Sequence, residues 1–125
     1  PGRHVWAVPT STLVMGLHYR KDLFVAAGLD PDRPPKTWDE LLDYARRLTD
    51  PAWNRYGLAI PGGQALGWGA YTFLVSAGAR AVSQDEDGQW RAAYGTREAA
   101  VGVEFLWRMR REPFERDGHT LSDAV

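Results

Sequence analysis

Chemistry in this chain concentrates in one short run, Pro61-Gly62-Gly63-Gln64-Ala65-Leu66-Gly67-Trp68-Gly69, with Tyr71 just behind it. An indole beside a primary amide and glycine-exposed backbone N–H groups suits a ligand with an apolar C–H face and a rim of hydroxyls. A pyranose ring has that form. Trp68 would supply the stacking surface, Gln64 and the amides of Gly62 and Gly63 the polar contacts, and Tyr71 a second ring. The same aromatics also suit a plainer role, anchoring a helix against a sheet. A phosphate cradle fits worse. Gly62 and Gly67 have P-loop spacing, but Trp68 stands where the lysine is needed, no Ser or Thr follows it, and Gly-x-Gly-x-x-Gly is not matched.

Catalytic and metal chemistry find little support. His4, His18 and His119 are far apart, with no i, i+4 partner and no metal-ligand spacing. Ser11, His18 and Asp22 lack the strained turn that exposes a nucleophilic serine. Asp39 and Glu40 are explained by helix capping. The run Asp85-Glu86-Asp87-Gly88 lacks the glycine at position six and the glutamate at position twelve of a calcium loop, so it reads as a solvated hairpin turn. No catalytic residue, metal site or cofactor is implied. Two alternatives to a transport-type binding role stay open at the level of residues: a small α/β sugar-active hydrolase and a stand-alone lectin-like module.

The elements that must position the glycine-rich loop are set by strong local signals. Arg3 to Pro9 reads as a strand by alternation. Leu13 to Tyr19, apolar almost throughout, predicts a strand buried on both faces. A short helix follows from about Lys21 to Ala27, ended by Gly28. Asp30, Pro31, Pro34 and Pro35 then impose a turn and an extended spacer. Thr37 and Glu40 form a capping box for the next helix. Asp39 and Glu40 lie at its positive end and Arg46 and Arg47 at its negative end, and its apolar stripe is Trp38, Leu41, Leu42, Ala45 and Leu48. Asp50-Pro51 stops it. Asp50 to Asn54 is a loop, Arg55 to Ile60 a short strand, and Ala70 to Ala77 a helix closing at Gly78. The glycine-rich loop thus sits between strand and helix, the usual binding position in open α/β sheets. Arg80 to Ser83 and Gln89 to Tyr94 flank the acidic turn. Thr96 caps a helix through about Arg111, with Ala99, Val103, Leu106 and Trp107 as its buried stripe and Trp107 in the core. Phe114 to Val125 is a polar tail in which Thr120 or Ser122 begins another helix.

The run from Tyr19 to Asp50 carries a resemblance. An aromatic, then Lys21-Asp22-Leu23-Phe24, the turn Ala27-Gly28-Leu29-Asp30, and Pro34-Pro35-Lys36-Thr37-Trp38-Asp39-Glu40-Leu41 follow in order the pattern of the family 1 extracellular solute-binding proteins. These are the maltose-binding-protein-like sugar-binding subunits of bacterial ABC importers. Arg20 stands where that family usually has asparagine. The resemblance extends over essentially the whole chain. It implies an α/β fold, part of the C-terminal lobe of a type II periplasmic-binding-protein-like fold, with residues 1–125 forming a single partial domain of a longer two-lobed protein. On this footing the chain starts near the lobe crossover and stops before a helix and strand with a further ligand-facing tryptophan.

The resemblance also implies carbohydrate binding for import by cleft closure, with a sugar and the ABC permease subunits as partners. It places the full-length protein in the periplasm or on the outer face of the membrane, lipid-anchored. Trp68 falls near the family's second-lobe stacking aromatic. Ser11 and Thr12 lie near its cleft mouth, where hydroxyls can meet a sugar, although turn residues at a strand junction look the same.

Composition agrees with a compact domain and little else. A net charge of −1 and a pI near 6.4 give no footprint for nucleic acid or an anionic membrane. There is no apolar run long enough to span a bilayer and no signal peptide at Pro1. Cysteine is absent, so disulfides and thiolate metal sites are excluded. Unpaired strand edges in such a fragment predict self-association.

Overall fold

The computed structural model describes residues 5, 7–60, 66–116 and 118–121. Four helices carry the architecture: α1 (Lys21–Ala26), α2 (Trp38–Leu48), α3 (Leu66–Ser76) and α4 (Arg97–Arg111). Two short antiparallel hairpins accompany them, β1 (Val82–Gln84) with β2 (Trp90–Ala92), and β3 (Phe114–Arg116) with β4 (His119–Leu121). A 3-10 turn at Pro51–Trp53 follows α2.

The local signals around α1 and α2 act as their chemistry requires. Gly28 takes the left-handed conformation at φ +68°, and the Leu29 N–H donates to the Phe24 carbonyl. Thr37 caps α2 by accepting from the Glu40 N–H at 3.1 Å. The return arm differs from a reciprocal box. Glu40 Oε2 accepts from the Lys36 N–H at 2.7 Å, one residue before the cap, while Oε1 takes Arg33 at 2.9 Å. The glutamate thereby ties the proline spacer to the helix it introduces.

Two apolar clusters form the core. Phe24, Leu29 and Tyr44 close one, with Tyr19, Ala27 and Leu48 against it. Leu42, Phe105 and Met109 form the other, joined by Trp38, Leu41, Leu58, Ile60, Phe73 and Leu106. Trp38 stacks on Phe105 at 4.6 Å between ring centroids, and Phe73 approaches Phe105 at 5.5 Å. Those rings hold α2, α3 and α4 together.

Several expected elements take another form. Leu13 to Tyr19 is not a buried strand. It has no regular secondary structure and no backbone ladder among the described residues, with Leu13 80% and Val14 83% exposed. A strand needs a neighbour to satisfy its N–H and C=O groups, and no described segment lies in pairing register with it. The same holds for Arg55 to Ile60, where only Arg55 makes a bridge, to Asp50, and for the described part of Arg3 to Pro9. α3 starts at Leu66 and not near Ala70, so Trp68 is helical. Thr120 lies in β4, not in a helix, and Ser122 is outside the described residues.

The buried stripe of α4 is also rotated from the expected one. It consists of Ala99, Gly102, Phe105 and Met109, with Leu106 half-buried, while Val103 and Trp107 are exposed. Gly102 is the cause. A Cβ there would lie 2.9 Å from the Leu74 Cα, so the bare backbone lets α3 approach and turns that face of α4 inward. A stripe read from side-chain hydrophobicity gives glycine no weight.

Ion pairs fix the rim of this core. Glu112 accepts from Arg108 Nε at 3.0 Å and lies 3.1 Å from Arg46, and Arg108 foremost holds its carboxyl below the ordinary value of 4.5. Glu40 is depressed too, chiefly by the Lys36 N–H, and Asp85 chiefly by Arg91. Carboxylates depressed in the folded state contribute stability that is fully present above their unfolded pKa and is lost as pH falls through the folded one. Thermal melts are therefore expected to hold steady from neutral pH to about 5 and to drop below about 4.5, with a smaller drop in Glu112→Gln. An equal acid drop in that variant would remove Glu112 from the account.

Candidate functional site

α3 is apolar on nearly every side, and this sets up the site. Its inward face is fixed: Phe73 packs on Trp38 and Phe105, and Leu74 meets Gly102. Its outward face still carries Trp68, 65% exposed, Tyr71, 40% exposed, and Val75. Positions i, i+3 and i+7 share one helical face, and side chains three apart have Cβ atoms about 5–6 Å from one another. The two exposed rings thus stand on the same face of α3. Thr72 donates its hydroxyl to the Trp68 carbonyl at 3.2 Å, leaving the hydroxyl oxygen available to accept.

A cleft of about 490 Å³ opens beside that face. One wall is Met15 to Leu17, another Leu58 to Ile60, a third the start of α2 from Pro35 to Trp38 with Leu41, and the fourth Gly69, Thr72, Phe73 and Ser76 of α3. The segments that lack strand partners are therefore what shapes the opening. Trp68 and Tyr71 are not in its lining and stand on the adjoining face of the same helix.

The expected site residues separate into three groups. Trp68 and Tyr71 come together on α3. Ser11 and Thr12 are exposed in the segment that continues into the Met15 to Leu17 wall, and no hydrogen bond among the described residues joins them to α3. Gln64, Gly63 and Gly62 lie outside the described residues. Sequence reasoning missed Thr72 and the apolar walls at 15–17 and 58–60. A signal was present: residues 56–79 contain no Asp, Glu, Lys or Arg.

Lys21 pairs with Asp32, Arg33 with Glu40, Arg55 with Asp50 and Arg91 with Asp85. Asp85 also closes its own turn by accepting from the Gln89 N–H at 2.8 Å. The cleft beside α3 thus offers ring faces, methyl groups and hydroxyls, with Lys36 as the charged residue of its lining. Such a surface can stack and hydrogen-bond, and its described lining contains no Asp or Glu.

Residues 2–112 match the sequence model of the family described as bacterial extracellular solute-binding protein. The putative ABC transporter periplasmic-binding protein YcjN of Escherichia coli K12 is 44% identical over 59 residues, 47% of this chain and 13% of that protein. The sn-glycerol-3-phosphate-binding periplasmic protein UgpB of the same organism is 49% identical over 45 residues, 36% of this chain and 10% of that protein. Among solved structures, a solute-binding protein from Thermotoga lettingae bound with α-D-tagatose superposes with a TM-score of 0.65 at 35% identity. That match covers 75% of this chain and 24% of that one. The cyclic α-maltosyl-1,6-maltose binding protein of Arthrobacter globiformis gives 0.52 at 32% identity, covering 70% and 22%. The matched region thus spans a quarter or less of each of these relatives.

Proposed function

This chain belongs to the bacterial extracellular solute-binding proteins, and we propose that it supplies the second-lobe half of a carbohydrate site in a protein that feeds an ABC importer. The observation that carries the proposal is the outward face of α3, where Trp68 and Tyr71 stand exposed beside an apolar cleft. Burying two aromatic rings inward would have been favourable. Their exposure at the N-terminal half of one helix suits a partner that arrives later, and a sugar ring has the matching C–H face. The two solved neighbours are described with tagatose and with a cyclic maltosyl-maltose, which supports a saccharide.

Residues 1–125 form one partial domain in this proposal, part of the C-terminal lobe of a type II periplasmic-binding-protein-like fold. Trp68 and Tyr71 stack, Gln64 and the amides of Gly62 and Gly63 bond hydroxyls, and Ser11 and Thr12 reach in from the cleft mouth. Ligand bridging both lobes favours the closed population, which the permease recognises. Members of the family bind solutes and do not catalyse, so no acid–base pair is required. The two curated relatives are named as periplasmic-binding proteins, and we place the full-length protein on the same side of the membrane, held by a lipid anchor.

Intrinsic fluorescence and calorimetric titration of the full-length protein against neutral mono- and oligosaccharides test this. Saturable binding of at least one sugar is expected. Failure of every sugar, with the protein folded, would overturn the proposal. The 125-residue chain alone exposes Leu13, Val14, Val103 and Trp107, and it is expected to self-associate. A single monomer mass by light scattering across a wide concentration range would contradict that.

A further inference from the structure

We infer that Thr49, which is not in the lining of the cleft beside α3, sets the position of the cleft wall at residues 58–60 and, through that wall, the affinity of the site for its ligand. Thr49 is a positioning residue in this account. The inference rests on the carbohydrate reading above and adds to it a determinant that does not touch the sugar.

The wall has little else to place it. Leu58, Ala59 and Ile60 line the cleft, yet among the described residues of this segment only Arg55 makes a backbone bridge, to Asp50. Leu58 and Ile60 do pack against the cluster of Leu42, Phe105 and Met109. Apolar contact is non-directional, so it draws the segment inward without fixing how far it slides along α2. Directional bonds must supply that register.

Thr49 supplies them from the end of α2. It is fully buried, and its hydroxyl uses both of its capacities: it donates to the Ala45 carbonyl at 2.8 Å and accepts from the Gly57 N–H at 3.0 Å. Gly57 is the residue immediately before the wall. The excursion between hook and wall is closed separately, by paired Asp50 and Arg55 backbone bonds at 2.7 and 3.0 Å and by Arg55 Nε on the Leu48 carbonyl at 3.1 Å. The start of α2, from Pro35 to Trp38, is itself another wall of the cleft. One helix therefore lines the cleft at its first turn and holds the root of a second wall at its last. Removing the hydroxyl leaves the Gly57 N–H without its partner, and the segment shifts to satisfy it. A binding site tolerates displacements of only about 0.5 Å, so a wall that moves changes affinity.

The test is the Kd of the full-length protein for glucose, tagatose and maltose, measured well below each variant's melting temperature. Thr49→Val keeps the side-chain shape and removes the hydroxyl, and it should weaken the tightest of the three by about tenfold. Thr49→Ser keeps the hydroxyl and should stay within about threefold of wild type. Leu29→Ala removes a buried side chain from the other apolar cluster, away from the cleft lining, and should bind as wild type does. The inference is overturned if Thr49→Val binds within about twofold of wild type, or if Leu29→Ala loses as much affinity as Thr49→Val, since general loosening would then explain both. Should Thr49→Val not fold, Thr49→Ser decides: wild-type affinity supports the inference and a tenfold loss overturns it. Failure of the folded wild type to bind any of the three sugars would defeat the carbohydrate reading itself and this inference with it.

Discussion

Gly57→Ala is expected to destabilise the chain by about 3 kcal/mol or more, enough to unfold much of a small domain's population. A Cβ at Gly57 would lie 1.8 Å from the Ala45 carbonyl oxygen and 2.6 Å from its Cα. Both partners are backbone, so no side chain can swing aside. The close approach is held from three directions. Gly57 N–H donates to Thr49 Oγ1 at 3.0 Å, that hydroxyl donates to the Ala45 carbonyl at 2.8 Å, and Arg55 Nε donates to the Leu48 carbonyl at 3.1 Å. Thr49 is fully buried, so displacing the loop would also strand its hydroxyl. Gly67→Ala is the control, since nothing lies within 4 Å of its added methyl. In a helix that change should be neutral or stabilising by up to about 1 kcal/mol. Urea denaturation of both variants decides the matter; equal midpoints would show that the loop yields.

Phe105→Ala carries the second large effect, about 3–5 kcal/mol. The ring is 3% exposed and is shared by three helices, through Trp38 at 4.6 Å and Phe73 at 5.5 Å, with Leu42 and Met109 in the same cluster. Removing it leaves a cavity that rigid aromatic neighbours fill poorly, so most of the cost should survive relaxation. Phe105→Leu should recover more than half of the loss. A Phe105→Ala protein melting within a few degrees of wild type would contradict the assignment of this cluster as the core.

Position in the fold decided what could be read from sequence. Elements defined by their own residues were legible: the Gly28 stop, the Thr37 and Thr96 caps and the turn at Asp85 each act within a few residues of themselves. Family membership was legible for the same reason, because the Tyr19 to Leu41 run is a string of such local devices. The strand at Leu13 to Tyr19 was not, since a strand is a relation between two segments, and here the described residues supply no second one. Nor was the burial of α4, which turns on Gly102 meeting Leu74 across α3. The candidate site depended on both kinds of information. Trp68 and Tyr71 stood out by residue type alone, with Trp68 read as a loop residue ahead of the helix that in fact contains it, whereas the cleft walls at 15–17 and 58–60 arise only from tertiary placement.

The most direct measurement is the Kd of the full-length protein for its best saccharide, compared between wild type, Trp68→Ala and Trp107→Ala. Both indoles are exposed, but only Trp68 stands on the aromatic face of α3. Trp68→Ala should weaken binding by more than about tenfold, roughly 1.4 kcal/mol, and Trp107→Ala should leave it unchanged. Equal affinity in wild type and Trp68→Ala, with both proteins folded, would contradict the assignment of α3 as the second-lobe sugar platform.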